Sequence, residues 1–180
     1  DTDGKPLAGM QVVLRAKVTG AYQYAWAIRH MRDVLARTTT TANGRFAFGG
    51  IGIPPRMTSV LENLRSGKSG AELVVWGAGK GVQWQPVESF QDPKKHIRLT
   101  PEADVSGTVV DADGHLVENA ELNVFAFTQK MTDLDAFMQD PGDLNLMRSE
   151  IQFRTNTKDG RFRIHNLPFD YRVSMQCNSD

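Results

Sequence analysis

Apolar and polar positions alternate with a period of two along much of the chain, and that period predicts strands. From Met10 to Ala16, Val12 and Leu14 fall on one face and Val13 on the other. Leu35 to Thr41, β-branched over Thr38 to Thr41, reads as a strand and leads into Asn43-Gly44, after which Phe46 and Phe48 alternate. Ala71 to Trp76 is an apolar run of strand length, and Val82 to Val87 alternates, with Pro86 marking an edge or an end. His96 to Leu99, Val105 to Val110, Leu122 to Phe127, Ile151 to Thr155, Phe162 to Ile164 and Tyr171 to Met175 complete the β pattern, and His165 to Pro168 reads as a turn. Helical spacing interrupts it three times. Tyr24, Ala27, Ile28, Met31, Val34 and Leu35 predict a helix over 22–33. Met57, Val60, Leu61 and Leu64 predict a short one. Leu134, Phe137 and Met138, behind the capping-box-like Thr132-Asp133-Leu134-Asp135, predict another over 132–139.

The pattern is duplicated. Asp1-Thr2-Asp3-Gly4, with the run to Leu14, matches Asp111-Ala112-Asp113-Gly114, with the run to Val124, at a spacing of 110. Thr41-Ala42-Asn43-Gly44-Arg45-Phe46 matches Thr157-Lys158-Asp159-Gly160-Arg161-Phe162, with the glycines 116 apart, so the second copy carries about six extra residues in a loop. Asn-Gly and Asp-Gly accept positive φ in tight hairpins. Two copies predict two domains, divided at Thr100-Pro101, each closing its core with the phenylalanine after the glycine corner. The first copy has no counterpart of Val105 to Val110, and the second none of Ala71 to Leu99. The expectation is therefore an excerpt of a longer chain, with flanking sequence or a neighbouring molecule supplying the absent strands.

Composition narrows the partners. Hydrophobic residues make up 40% and charged residues 23%, the proportions of a globular protein, and the formal net charge is zero, which lowers the case for nucleic acid. No apolar run reaches the roughly 20 residues of a membrane span. The single Cys177 excludes an intramolecular disulfide and reads as a core or edge thiol.

Candidate chemistry is sparse. Gly67-Lys68-Ser69 lacks the glycine five positions earlier that a phosphate loop needs, since Glu62 stands there. Asp1/Asp3 and Asp111/Asp113 lack the further oxygen ligands and closing glutamate of a calcium loop, and read as hydrogen-bonded turns. His30, His96, His115 and His165 are scattered, without metal-ligand spacing. No nucleophile elbow is present. Catalytic residues, metal ligands and cofactor are therefore expected to be none. The aromatics are the one positive feature. Tyr22, Tyr24 and Trp26 cluster in the first helical insert, and Trp76 and Trp84 flank the glycine turn at 77–81. Either Trp84, Trp26 and Tyr22 contact a ligand, or Trp76 fills the core and Trp84 covers a sheet edge.

Val105, Gly107, Val109, Asp111, Gly114, Thr157, Gly160, Phe162 and Leu167-Pro168 in the second copy form a degenerate but ordered pattern, matched in the first by Gly4, Pro6, Gly9, Thr41, Gly44, Phe46, Phe48 and Ile51. The pattern resembles the carboxypeptidase regulatory-like domain, a transthyretin-like (prealbumin-like) β-sandwich. Glu72 to Gly81 is similar to the family's strand before a Gly-x-Gly turn. The resemblance implies an all-β chain of two tandem Ig-like, Greek-key sandwiches with short helical inserts: domain 1-100, lacking its first strand, and domain 101-180, lacking its C-terminal strands. It further implies an accessory role, since in that family zinc and catalysis belong to a separate domain. This sequence has no His-Glu-x-x-His. The expectation is a non-catalytic spacer or interaction element of a larger bacterial extracytoplasmic protein, secreted, periplasmic or on the cell surface. Its expected partners are adjacent domains, a polysaccharide or another surface protein, with no nucleic acid. The alternatives are a carbohydrate-binding module, as related sandwiches stack aromatics on sugar rings, and an accessory domain of a hydrolase or sensor whose catalytic part lies elsewhere.

Overall fold

The computed structural model describes residues 1–16, 34–51, 71–87, 96–128, 144–145, 151, 153–169 and 171–178. Among these every regular element is a strand, and every ladder is antiparallel. The three predicted helices lie outside the described residues. No helix among the described residues is long and apolar enough to cross a membrane. The chain divides into two compact units, Asp1–Thr100 and Pro101–Asp180.

In the first unit β1 (Gln11–Ala16) runs between β2 (Val34–Thr39) and β3 (Ala71–Gly77), and β4 (Lys80–Val87) pairs with the far side of β3. Pro86 sits on β4, an edge strand, where a residue without N–H is tolerated. The period-two pattern sends Val12, Leu14 and Ala16 of β1, Ala71, Leu73 and Val75 of β3, Leu35 and Val87 into one core with Met10 and Leu99. Each fully buried aliphatic side chain stabilises by about 1.5–3 kcal/mol. The opposite face of the same strands is also buried at Val13 and Val74.

In the second unit β5 (Ala103–Thr108) pairs with β9 (Arg161–Leu167). The central strand β6 (Glu121–Thr128) lies between β8 (Phe153–Asn156) and β10 (Arg172–Asn178), and the two-residue β7 (Leu144–Asn145) pairs with the far end of β6. Phe127 is fully buried and meets Phe153 edge to face, with centroids 5.8 Å apart, while Phe162 is only half-buried. Phe46 is half-buried as well, packed on the first core and edge to face with Phe48 at 6.0 Å. The phenylalanines after the glycine corners therefore rim the cores rather than fill them, because each stands next to a turn at the end of its segment.

The two units repeat one hydrogen-bond scheme. Asp1 Oδ1 accepts from Asp3 N and Lys5 N at 3.0 and 2.9 Å, and Asp111 Oδ1 from Asp113 N and His115 N at 2.9 Å each. Thr40 Oγ1 accepts from Met10 N at 2.9 Å and donates to Leu7 O at 2.6 Å. Thr157 Oγ1 accepts from Ala120 N at 2.9 Å and donates to Val117 O at 2.7 Å. Each threonine thus ties the chain between Asp turn and central strand to the start of the glycine hairpin. The registers match as well: Val12 faces Thr38 and Val75, and Leu122 faces Thr155 and Cys177.

The equivalence corrects the sequence alignment by one residue, since Thr40, not Thr41, corresponds to Thr157. The turns differ in length. Asp159 and Gly160 both have positive φ, and Lys158 and Arg161 exchange backbone bonds of 2.8 and 2.9 Å, a two-residue hairpin of the primed type. In the corresponding turn of the first unit only Gly44 has positive φ, and Thr41 N reaches Arg45 O across a three-residue loop. The extra residue displaces the threonine. Three further expectations change. Residues 45–48 form no ladder, in contrast to β9. Residues 165–167 continue β9 instead of turning, with Asn166 at φ 62 and its N–H bonded to Glu102 Oε2 at 3.0 Å. The strand expected over 105–110 runs from Ala103 to Thr108, and Val110 forms an isolated bridge to Leu116.

Thr157→Val leaves Ala120 N and Val117 O buried without that partner. It should destabilise the second unit by about 1–3 kcal/mol, read as a lower urea midpoint together with faster amide exchange in β6 and β8. An unchanged midpoint would remove the threonine tie as a stabilising contact. Gly160→Ala and Gly114→Ala both place a side chain at positive φ, but only at Gly160 does the new Cβ meet Leu116 Cβ, at 2.5 Å. Gly160→Ala should therefore be the more destabilising in thermal melts, by about 1–3 kcal/mol. Equal losses would contradict the packing of that corner on Leu116.

Candidate functional site

The duplication preserves the inner face of each central sheet and changes the outer one. The register sets Val13 opposite Val74, and Gln11 opposite Trp76; the equivalent positions are Asn123 opposite Gln176, and Glu121 opposite Asn178. In the second unit this face follows the ordinary alternation of apolar inside and polar outside. In the first it is apolar and aromatic. Trp84 on β4 stands directly across from Val74 and continues the row Arg37, Val13, Val74, Trp84. The face is buried at Val13 and Val74, so the candidate site on it is the half-buried pair Trp76 and Trp84 together with the exposed Arg37.

Of the aromatics singled out by sequence, Trp84 lies on this face and is half-buried, as is Trp76. Trp26 and Tyr22 lie outside the described residues, as does Tyr24. Trp76 is not part of the hydrophobic cluster that forms the first core. The register places it and Trp84 on the same side of the sheet, with the two strands linked by the tight turn Ala78-Gly79. Gly79 takes φ 70 there, a conformation that suits glycine.

Next to this row is an ion pair that escapes a pattern reading. Arg15 Nε lies 3.0 Å from Glu72 Oε1, and the two residues face each other across β1 and β3, nearly buried. A buried pair is costly to break, because removal of either partner leaves an uncompensated charge. The signal was present in the sequence: Arg15 and Glu72 are the charges at the ends of otherwise apolar runs, at positions that share the face of Val13 and Val74.

The described histidines, His96, His115 and His165, are all exposed. Asp111, Asp113 and His115 place one ligand atom each within 4.8 Å of one another, all on exposed side chains. Asp111 Oδ1 is occupied by two backbone amides, and Oδ2 is 3.4 Å from His115 Nδ1, so the cluster is first of all a hydrogen-bonded turn. The second unit also has a wide-open depression lined by Asp104, Ser106, Lys158, Asp159, Arg161 and Arg163, in which Arg163 Nε donates to Asp104 Oδ2. Mixed charge, with Arg163 already paired to Asp104, gives this depression no cluster of convergent groups for an anion or a cation. Cys177 is exposed on β10. It replaces the core residue Val75 of the first unit, so it is an edge thiol rather than a core one.

No family model matches the chain, and no curated protein and no solved structure matches it.

The Asp111 carboxyl is held below the usual aspartate range, above all by the backbone N–H of His115, with help from Asp113 N. A lowered folded pKa means that the turn's contribution is present above the unfolded aspartate pKa and lost as pH falls through the folded value. Carboxyl NMR should therefore find Asp111 titrating below the ordinary aspartate range, with the His115 amide shift following the same midpoint. An Asp111 midpoint at or above the ordinary aspartate value would contradict the turn geometry.

Proposed function

We propose that the chain is a pair of tandem transthyretin-like β-sandwich modules, similar to carboxypeptidase regulatory-like domains. In this reading it serves as a non-catalytic spacer or interaction element of a larger bacterial extracytoplasmic protein. The observation that carries the proposal is the repetition of one complete scheme in both units: the Asp turn, the threonine tie and the three-stranded register. A module whose conserved geometry lies in turns and ties, rather than in a cleft with convergent acids and bases, fits a scaffolding role. The extracytoplasmic assignment and the Greek-key connection rest on the family resemblance.

A second reading draws on the outer face of the first unit. Trp84 and Trp76 share that face with Arg37 and Gln11, the combination of aromatic ring and planar polar groups with which proteins stack and hydrogen-bond sugars. Affinity gel electrophoresis over a panel of soluble polysaccharides separates the two. The spacer reading expects no retardation by any polysaccharide and no change with Trp84→Ala. Retardation that Trp84→Ala abolishes would replace it with a carbohydrate-binding module, and hydrolysis of any of them by the purified chain would overturn the non-catalytic assignment.

A further inference from the structure

Among the described residues, the second unit contains a ladder with no counterpart in the first. β5 pairs with β9 so that Gly107 faces Phe162, Val105 faces Ile164 and Ala103 faces Leu167. Beyond β5, Val109 N donates to Gly160 O at 2.8 Å and Val117 N donates to Val109 O at 2.9 Å. By the repeat, Phe162, Ile164 and Leu167 correspond to Phe46, Phe48 and Ile51, and Gly160 and Val117 correspond to Gly44 and Leu7. Among the described residues neither Gly44 O nor Leu7 N has the matching bond, and residues 46–51 form no ladder. Burial records the same difference: Ile51 is 38% exposed where Leu167 is 1% exposed, and Phe48 is half-buried where Ile164 is 3% exposed.

We propose that residues 45–51 are the acceptor edge for an extended strand of the pattern Ala-x-Val-x-Gly, bound antiparallel with its glycine against Phe46. The second unit supplies the chemistry of the occupant. A Cβ at Gly107 would lie 2.9 Å from Phe162 Cε1, so the residue facing this ring has to be glycine for the ring to lie across the strand. The position facing Phe48 takes a β-branched apolar residue, and that facing Ile51 a small one. Unlike β5, whose Asp104 bonds Arg163, the incoming strand needs no acid, because Ala47 stands in the place of Arg163. Strand addition of this kind satisfies edge amides and carbonyls through main-chain bonds, while alternate side chains set specificity. The inference rests on the duplication and holds for a spacer and a sugar-binding module alike.

The test copies residues 101–110 in front of Asp1, so that the junction repeats Val110-Asp111. In the extended chain, amide exchange at 46–51 and at Leu7 should slow by about tenfold or more, and the first unit's Tm should rise by about 4 °C or more. The same extension with Gly107→Val in the added copy alone should give neither effect. Unchanged exchange at 46–51, equal protection by the valine extension, or protection of β9 in place of 45–51 would each overturn the proposal. So would an unextended chain whose 45–51 amides are already protected through self-association.

Discussion

One hydroxyl in each unit holds the arrangement together. Thr40 and Thr157 each take a backbone N–H from the residue just before the central strand and give their proton to a carbonyl three residues upstream of it. The tie joins two segments of chain separated by 30 residues or more, 30 in the first unit and 37 in the second. It fixes the start of the central strand relative to the hairpin, and so fixes register. Because side chains alternate with period two, a slip of one residue would turn Val12 and Leu14 outward and Val13 inward. The second tie is the more enclosed, with Thr157 buried where Thr40 is half-buried.

Around this tie the conserved parts follow from backbone geometry. The Asp turn needs glycine at its fourth position, and both Gly4 and Gly114 take positive φ. Gly9 and Asn119 occupy the same left-handed position ahead of the central strand, where asparagine is the best substitute for glycine. The glycine corners pack on residues of the Asp turn, Gly44 on Pro6 and Gly160 on Leu116, so a Cβ would collide in either unit. What varies lies outside these contacts: the length of the hairpin loop, the outer sheet face, and the strands at the edges. Met175 shows the effect of an edge, being 36% exposed where its counterpart Leu73, covered by β4, is 4% exposed.

The outer face of the first unit is where structure adds most to a functional reading. Two copies under the same folding constraint share inner faces, so a difference confined to the other face is not dictated by that shared inner core; in the first unit Val13 and Val74 are buried on the other face as well. Val13, Val74 and Trp76 against Asn123, Gln176 and Asn178 is such a difference. The Arg15–Glu72 pair strengthens it, since a buried ion pair contributes little net stability compared with well-packed apolar residues.

The sequence by itself determined the duplication, the β character of most described segments and the glycine corners at Gly44 and Gly160, because period-two patterning and the need for glycine at positive φ are local properties. It also narrowed Pro86 to an edge or a strand end, since a residue without N–H has few other positions in a sheet, and the strand order resolves it to an edge strand. Only the tertiary structure decided which threonine is the tie, because a two-residue and a three-residue hairpin differ by one position that Asn-Gly and Asp-Gly do not reveal. It likewise decided that residues 45–48 stay unladdered while their copy pairs, that Arg15 meets Glu72, and that Trp84 shares a face with Trp76. Each of these depends on a neighbour distant in the chain, and strand pairing is a property of two segments, of which a pattern reads only one at a time.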